Sequence, residues 1–334
     1  MGAEDAIIDW LREAGLAPAG AELSLTPLGG GVSSDVFCVD LPDGPICVKR
    51  ALARLKVAAD WRAPLERSTY EAAWLRVAAT LDGPIVPRVL AEDPARHVFA
   101  MTWFAPKDHP VWKAELAAGR VDTRFAARVG NALAKVHSGT AHAPALAAQF
   151  ATAGLFESLR LAPYLRHAAL AHPDLADRLN GLADATLARS LALVHGDVSP
   201  KNILCGPVGP VFLDAECAWY GDPAFDIAFC ANHLLLKCVW KPDHAAAYLA
   251  AFQALASAYL GGVDWEEQAA LNARAGDLLA ALLLARIDGK SPVEYLTDPE
   301  DKAFVRGVAV ELLRQPGLTL GGVAGVWEQR TGAR

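Results

Sequence analysis

The spacing of apolar residues changes character once along this chain of 334 residues, and that change limits its fold more than any single motif does. Ahead of Pro106, short runs of β-branched and aromatic residues alternate with turn residues. Val36–Val39 and Ile46–Val48 flank Asp40-Leu41-Pro42-Asp43-Gly44-Pro45, whose Asp-Gly step and prolines predict a hairpin connection. Val86–Leu90 and Val98–Phe104 read as further strands. Tyr70, Trp74, Val77 and Leu81 recur at helical spacing and predict a helix over 65–81, while Asp5–Ala14 reads as a short amphipathic helix stopped by Gly15. Past Pro106 the pattern turns to long Ala- and Leu-rich helices over 125–137, 175–188, 244–260 and 265–287. The expected fold is therefore α+β. A small antiparallel sheet with helices, residues 1–104, precedes a larger, mainly helical part, residues 105–334.

A hydrophobic content of 53% with 21% charged residues can bury a large core in a chain of this length. The net charge of −7 and the lack of any dense Lys/Arg stretch argue against nucleic acid as a partner. Early acidic residues argue against a signal peptide, Gly2 lacks the context for myristoylation, and the longest apolar run, Leu278–Ala285, is too short to span a bilayer. A cytoplasmic protein without a membrane partner is the expectation, with oligomeric state left open. The six cysteines form no Cys-x-x-Cys pair and read as buried free thiols.

The chemistry is concentrated between Leu193 and Glu216. Asp197 and Asn202 stand five apart on an expected loop, and Asp214 follows the short apolar run Val211-Phe212-Leu213. Phosphoryl transfer needs a carboxylate at the attacking hydroxyl and oxygen ligands that hold Mg2+ against nucleotide phosphates. Asp197 suits the first task; Asn202 and Asp214 suit the second. The stretch His195-Gly196-Asp197-Val198-Ser199-Pro200-Lys201-Asn202, with Leu213-Asp214-Ala215-Glu216 and Asp222-Pro223-Ala224-Phe225-Asp226-Ile227-Ala228, resembles the aminoglycoside phosphotransferase and choline kinase superfamily. The His-Gly-Asp opening favours that branch over protein kinases, which usually carry His-Arg-Asp. The resemblance implies a two-lobed protein-kinase-like fold, ATP and Mg2+ as cofactors, and a small-molecule hydroxyl acceptor. A nucleotide-binding pseudokinase and a protein kinase are the alternatives; the second lacks an Ala-Pro-Glu element after Asp214.

Further site residues follow from that frame. Gly29-Gly30-Gly31-Val32-Ser33-Ser34 is a small-residue turn, and Gly30, Gly31, Ser33 and Ser34 are its candidate phosphate contacts. Lys49 ends Ile46-Cys47-Val48-Lys49, which resembles the kinase strand whose lysine reaches the phosphates. Glu71 is its expected ion-pair partner, in competition with Glu66. Thr102 and Phe104 are candidates for adenine recognition through their backbone groups. His195 is expected to brace the loop and Asp226 to anchor it. Asp214 and Glu216, two apart, would face one side of an extended strand, so Glu216 joins the candidate metal ligands. Lys201 stands two places beyond Ser199, where protein kinases carry a lysine. Trp219, Tyr220, His233, Trp240, Arg286, Asp288 and Lys290 are candidates for the acceptor pocket, while Arg286–Pro292 reads better as a helix end than as a substrate-facing loop.

Overall fold

The computed structural model describes residues 3–29, 33–54, 63–81 and 84–332. Helix α1, Ala3–Glu13, ends where Gly15 enters the left-handed region at φ +71°. Strands β1 (Ser24–Pro27), β2 (Ser34–Asp40), β3 (Ile46–Ala51), β4 (Val89–Asp93) and β5 (Val98–Thr102) form one antiparallel sheet in the order β1-β2-β3-β5-β4. Helix α2 spans Arg67–Ala78.

Side chains alternate across a strand, and here the two sets meet different partners. Phe37, Val39, Ile46, Val48, Val98 and Ala100 pack with Ile7, Trp10 and Leu11 of α1. Cys47, Phe99 and Met101 point the other way, joining Ala72, Trp74, Leu75 and Ala78 of α2 in the main core. Lys49 shares that face with Cys47. Because β3 is central, paired Val36 to Lys49 on one side and Lys49 to Phe99 on the other, the lysine backbone is fixed by two ladders. The expected strand at 86–90 begins later, at Val89. Pro87 has no N–H to give to a ladder, so pairing starts beyond it.

The remainder is mainly helical. Thr123–Thr140 packs along Ala245–Gly261, and Ala224–Trp240 lies between that second helix and Gln268–Asp288. Two small ribbons sit under the sheet lobe: β6 (Ala192–Val194) with β9 (Trp219–Gly221), and β7 (Ile203–Cys205) with β8 (Pro210–Phe212). Their loops, 195–202 and 213–218, emerge side by side. Leu213 N–H donates to the Asn202 carbonyl at 2.9 Å, which locks one loop to the other. Among the described residues no helix is long and apolar enough to cross a membrane. All six cysteines are free, with Cys38 and Cys205 only partly buried.

Candidate active site

The loop at 195–202 is held from beneath by Asp226. Its Oδ2 accepts from His195 N–H and its Oδ1 from Gly196 N–H, both at 2.8 Å, and the side chain is fully buried. Gly196 has φ +80°, and a Cβ there would stand 2.6 Å from the Cys217 carbonyl. The middle position of His-Gly-Asp thus needs glycine for both conformation and space. His195 Nδ1 accepts from Asp197 N–H at 3.2 Å and Nε2 donates to the Leu213 carbonyl at 3.1 Å. Burial pushes its pKa down, so the ring stays neutral, as an accepting Nδ1 requires. The histidine braces both loops, and Trp74 of α2 meets its ring edge-on at 4.7 Å.

Asp197 is 2% exposed. Its Oδ2 lies 2.8 Å from a guanidinium nitrogen of Arg160 and 3.2 Å from Lys201 Nζ. Arg160 Nε also donates to the Gly196 carbonyl at 2.6 Å, so this arginine holds both backbone and carboxylate. Lys201, not Ser199, brings a lysine to the carboxylate; Ser199 Oγ is buried and bonded to no other described group. The Asn202 amide nitrogen donates to the Asp197 carbonyl at 3.0 Å, which turns the amide oxygen away from that bond.

Across the cleft, Lys49 Nζ donates to both oxygens of Glu71, at 2.8 and 2.7 Å, and to Asp214 Oδ1. Glu66, at the exposed start of α2, does not take part. Burial would push the Lys49 ammonium down, but Asp214, Glu71 and Glu216 together raise it above its ordinary range. Asp214 moves oppositely: burial would raise its carboxyl, and Lys49 followed by Lys201 hold it well below the usual range. Burial lifts Glu71 to about 7 against the pull of Lys49.

The expected strand through Asp214 and Glu216 does not form. β8 ends at Phe212, and Asp214 takes the left-handed φ of +67°, so the two carboxylates do not share a face. Glu216 Oε2 instead accepts from Arg67 Nε at 3.0 Å. Arg67, 1% exposed, also donates to the carbonyls of Pro64 at 2.7 Å, Leu52 at 2.8 Å, and Ser33. Ser33 and Ser34 are buried at the entry to β2; Gly30 and Gly31 lie outside the described residues. Thr102 N–H is committed to the Arg88 carbonyl at 3.0 Å and is not available to a base. Phe104 lies past the end of β5, with no backbone hydrogen bond to another described residue.

Several acceptor-pocket candidates are structural. Trp219 stacks on Phe156 at 4.3 Å, Tyr220 Oη bonds backbone groups of Thr140, Ala143 and Leu191, and Asp288 is held by Arg306 and His172. His233, Trp240 and Arg286 remain as buried or half-buried side chains on two neighbouring helices. Two hollows of about 400 and 470 Å³, beside Trp112 and beside Asp222, include none of Lys49, Asp197, Asn202 and Asp214.

A sheet lobe that delivers a lysine–glutamate pair to a loop-borne carboxylate in a helical lobe defines the two-lobed kinase class. The structure superposes on a choline/ethanolamine kinase family protein from Mesorhizobium loti with a TM-score of 0.52 at 18% identity, covering 98% of this chain and 100% of that one. It also superposes on the amicoumacin kinase hAmiN, solved with AMP-PNP, Ca2+ and Ami, with a TM-score of 0.55 at 14% identity over 95% and 97% of the two chains. Residues 24–267 match the phosphotransferase enzyme family, and the chain belongs to it. A methylthioribose kinase of Pectobacterium atrosepticum is 28% identical over 269 residues, 72% of this chain and 66% of that protein. Another, from Pectobacterium carotovorum, is matched over 55% of its length, so the chain spans less than two thirds of these relatives.

Proposed function

We propose that the chain is an ATP- and Mg2+-dependent kinase that phosphorylates a hydroxyl group of a small molecule, with residues 1–104 as its nucleotide-binding lobe and 105–334 as its catalytic lobe. The observation that carries this reading is the meeting of Asp197, Asn202, Asp214 and the Lys49–Glu71 pair from four separate elements. Family membership supports phosphoryl transfer, and the methylthioribose kinase relatives support a small acceptor.

Asn202 and Asp214 present an amide oxygen and an ionised carboxylate, the hard donors that suit Mg2+ shared with phosphates. When bound, Mg2+ supplies neutralisation of phosphate charge. Lys49 keeps Glu71 and turns its remaining donor from Asp214 to a phosphate oxygen. Asp197 accepts the hydrogen bond of the acceptor hydroxyl and aims its oxygen at the γ-phosphorus. The new O–P bond forms as the bond to the ADP oxygen breaks, and the hydroxyl proton passes to Asp197 and then to solvent. Arg160 and Lys201 fix the carboxylate and place positive charge beside the transferred group. Glu216 acts through Arg67, which holds the Ser33 carbonyl at the entry to β2.

The test is ATP consumption across amino alcohols, sugars, methylthioribose and aminoglycosides, with Asp197→Asn as blank. Acceptor-dependent turnover that falls about a thousandfold in the variant, with nucleotide binding kept, is expected. Equal turnover in the variant refutes the role of Asp197; no turnover with any acceptor favours a pseudokinase.

A further inference from the structure

One face of the helix Ala224–Trp240 leads away from the catalytic loop. Asp226 anchors that loop, Phe229 follows three residues on, and His233 and Lys237 follow at four-residue steps, so they line up on one side. Arg160, which holds Asp197, lies over the Phe229 ring at 6.0 Å. Phe229 meets His233 at 5.6 Å and Tyr164 at 5.7 Å, and Tyr164 carries the guanidinium of Arg286 at 5.4 Å over its ring. From Phe229 to Lys237 the helix rises roughly 12 Å, and a lysine side chain leans back toward the helix start. The span is that of a small sugar or polyol with one substituent.

This lane is cationic and lacks its anion. Lys237 is 1% exposed, yet no carboxylate of the described residues lies within ion-pair distance of it. Its ammonium sits 4.3 Å from the centre of the Tyr295 ring and 4.9 Å from that of Trp240. Arg286 bonds only neutral groups, Tyr164 Oη at 3.1 Å and the Ser291 carbonyl and hydroxyl, while its Nε is buried without a partner. The nearby Glu294 is already paired with Lys113. Burial together with Arg286, Lys237, Lys201 and Lys113 drives the His233 pKa well down, so positive charge surrounds a neutral imidazole. An unpaired buried ammonium lowers stability. The Trp240 ring faces Lys237 and Lys241, each at 4.9 Å, which opposes its use as a box for a quaternary ammonium.

We infer that the acceptor is an anion: a small hydroxyl compound whose carboxylate or phosphate is bound by Lys237 and Arg286 while its hydroxyl reaches Asp197. The inference rests on the kinase reading for the reaction, but the anion site stands on its own residues. The test uses the full chain with ribose, ribose 5-phosphate, gluconate and choline as acceptors. Ribose 5-phosphate or gluconate should exceed ribose in kcat/KM by about tenfold or more, and whichever of the two prevails identifies the anion. Lys237→Met, of similar volume, should raise KM for that anion about tenfold or more with kcat little changed, and should also raise the thermal midpoint. Arg286→Gln provides an independent variant with the same KM effect. Preference for ribose or choline, or an unchanged KM in both variants, overturns the inference. If no acceptor consumes ATP in this set or in the wider screen above, the kinase reading fails and calorimetric binding of inorganic phosphate, ribose 5-phosphate and gluconate decides the anion site: weaker binding in Lys237→Met sustains it, and equal binding or none in the unaltered chain overturns it.

Discussion

Asp226→Asn separates the support of the catalytic loop from its chemistry. The substitution keeps volume and shape, but a carboxylate offers two accepting oxygens where an amide offers one. Asp226 uses both, toward His195 N–H and Gly196 N–H at 2.8 Å each, and also accepts from His137 Nε2 at 3.3 Å. Hydrogen bonds to a charged acceptor contribute about 1.5–3 kcal/mol each, and a buried N–H left without a partner costs about 1–3 kcal/mol. In the variant one backbone N–H faces an amide NH2, and the other bond becomes neutral. The expected loss is about 3 kcal/mol, or about 6 °C in thermal midpoint for a chain of this size. A loop displaced by about an ångström should lose about a hundredfold in kcat. KM for ATP should stay within about twofold, because the residues proposed to bind the nucleotide, Lys49 and Glu71, stand on β3 and α2 and not on this loop. Thermal unfolding followed by circular dichroism and steady-state kinetics read these quantities. A stability loss below about 1 kcal/mol with kcat intact would refute the claim that these two bonds hold the loop.

Arg67→Lys replaces a planar fork that serves Glu216 and the carbonyls of Ser33, Leu52 and Pro64 with one ammonium; denaturation should show a loss of about 2–4 kcal/mol, and KM for ATP should rise as the Ser33 turn loosens. Burial, with Lys113 facing it and Glu294 opposing, holds Lys237 down to about 8 from 10.5. Between those values the unfolded chain binds the extra proton, so the site adds stability as pH rises through that window, on the order of 3 kcal/mol, and Lys237→Met should abolish that rise in urea titrations. Over the same window the anion loses the Lys237 cation, and KM for an anionic acceptor should climb above pH 8, with His233 already neutral. Glu71, raised to about 7 from 4.5, gives its protonated-state stability below the lower value and loses it as pH rises through the higher. Nucleotide affinity should therefore show an acid limb near pH 7 that Glu71→Gln removes, as measured by nucleotide titration across pH.

What could be read from the chain alone was whatever depends on neighbours close in sequence or on strand periodicity. His195, Asp197 and Asn202 fall within eight residues, while Lys49 and its partner Glu71 were legible only through their resemblance to the kinase strand and the helix after it. The helix Ala224–Trp240 escaped notice because it is buried on nearly every side and so lacks an amphipathic period. Arg67 and Arg160 carry no local signal at all. Each is an ordinary helix cation until the fold brings it to a partner 149 residues away at Glu216, or 36 away at Gly196.

The Asp-x-Glu pair shows how one backbone angle redirects a motif. On a strand, Asp214 and Glu216 would face the same ligand. With Asp214 left-handed at φ +67°, its carboxylate turns to Lys49 on β3, and Glu216 turns to Arg67 at the start of α2. Both partners belong to the sheet lobe, and both carboxylates to the helical lobe. The motif therefore ties the two lobes at two points, one on the lysine proposed to meet the phosphates and one on the arginine that holds the Ser33 carbonyl. In the proposed mechanism the first contact is the one given up to a phosphate, while the Glu216–Arg67 pair is kept. Glu216→Gln should accordingly weaken the coupling between lobes, seen as separate unfolding transitions in calorimetry, whereas Asp214→Asn should leave a single transition and remove turnover.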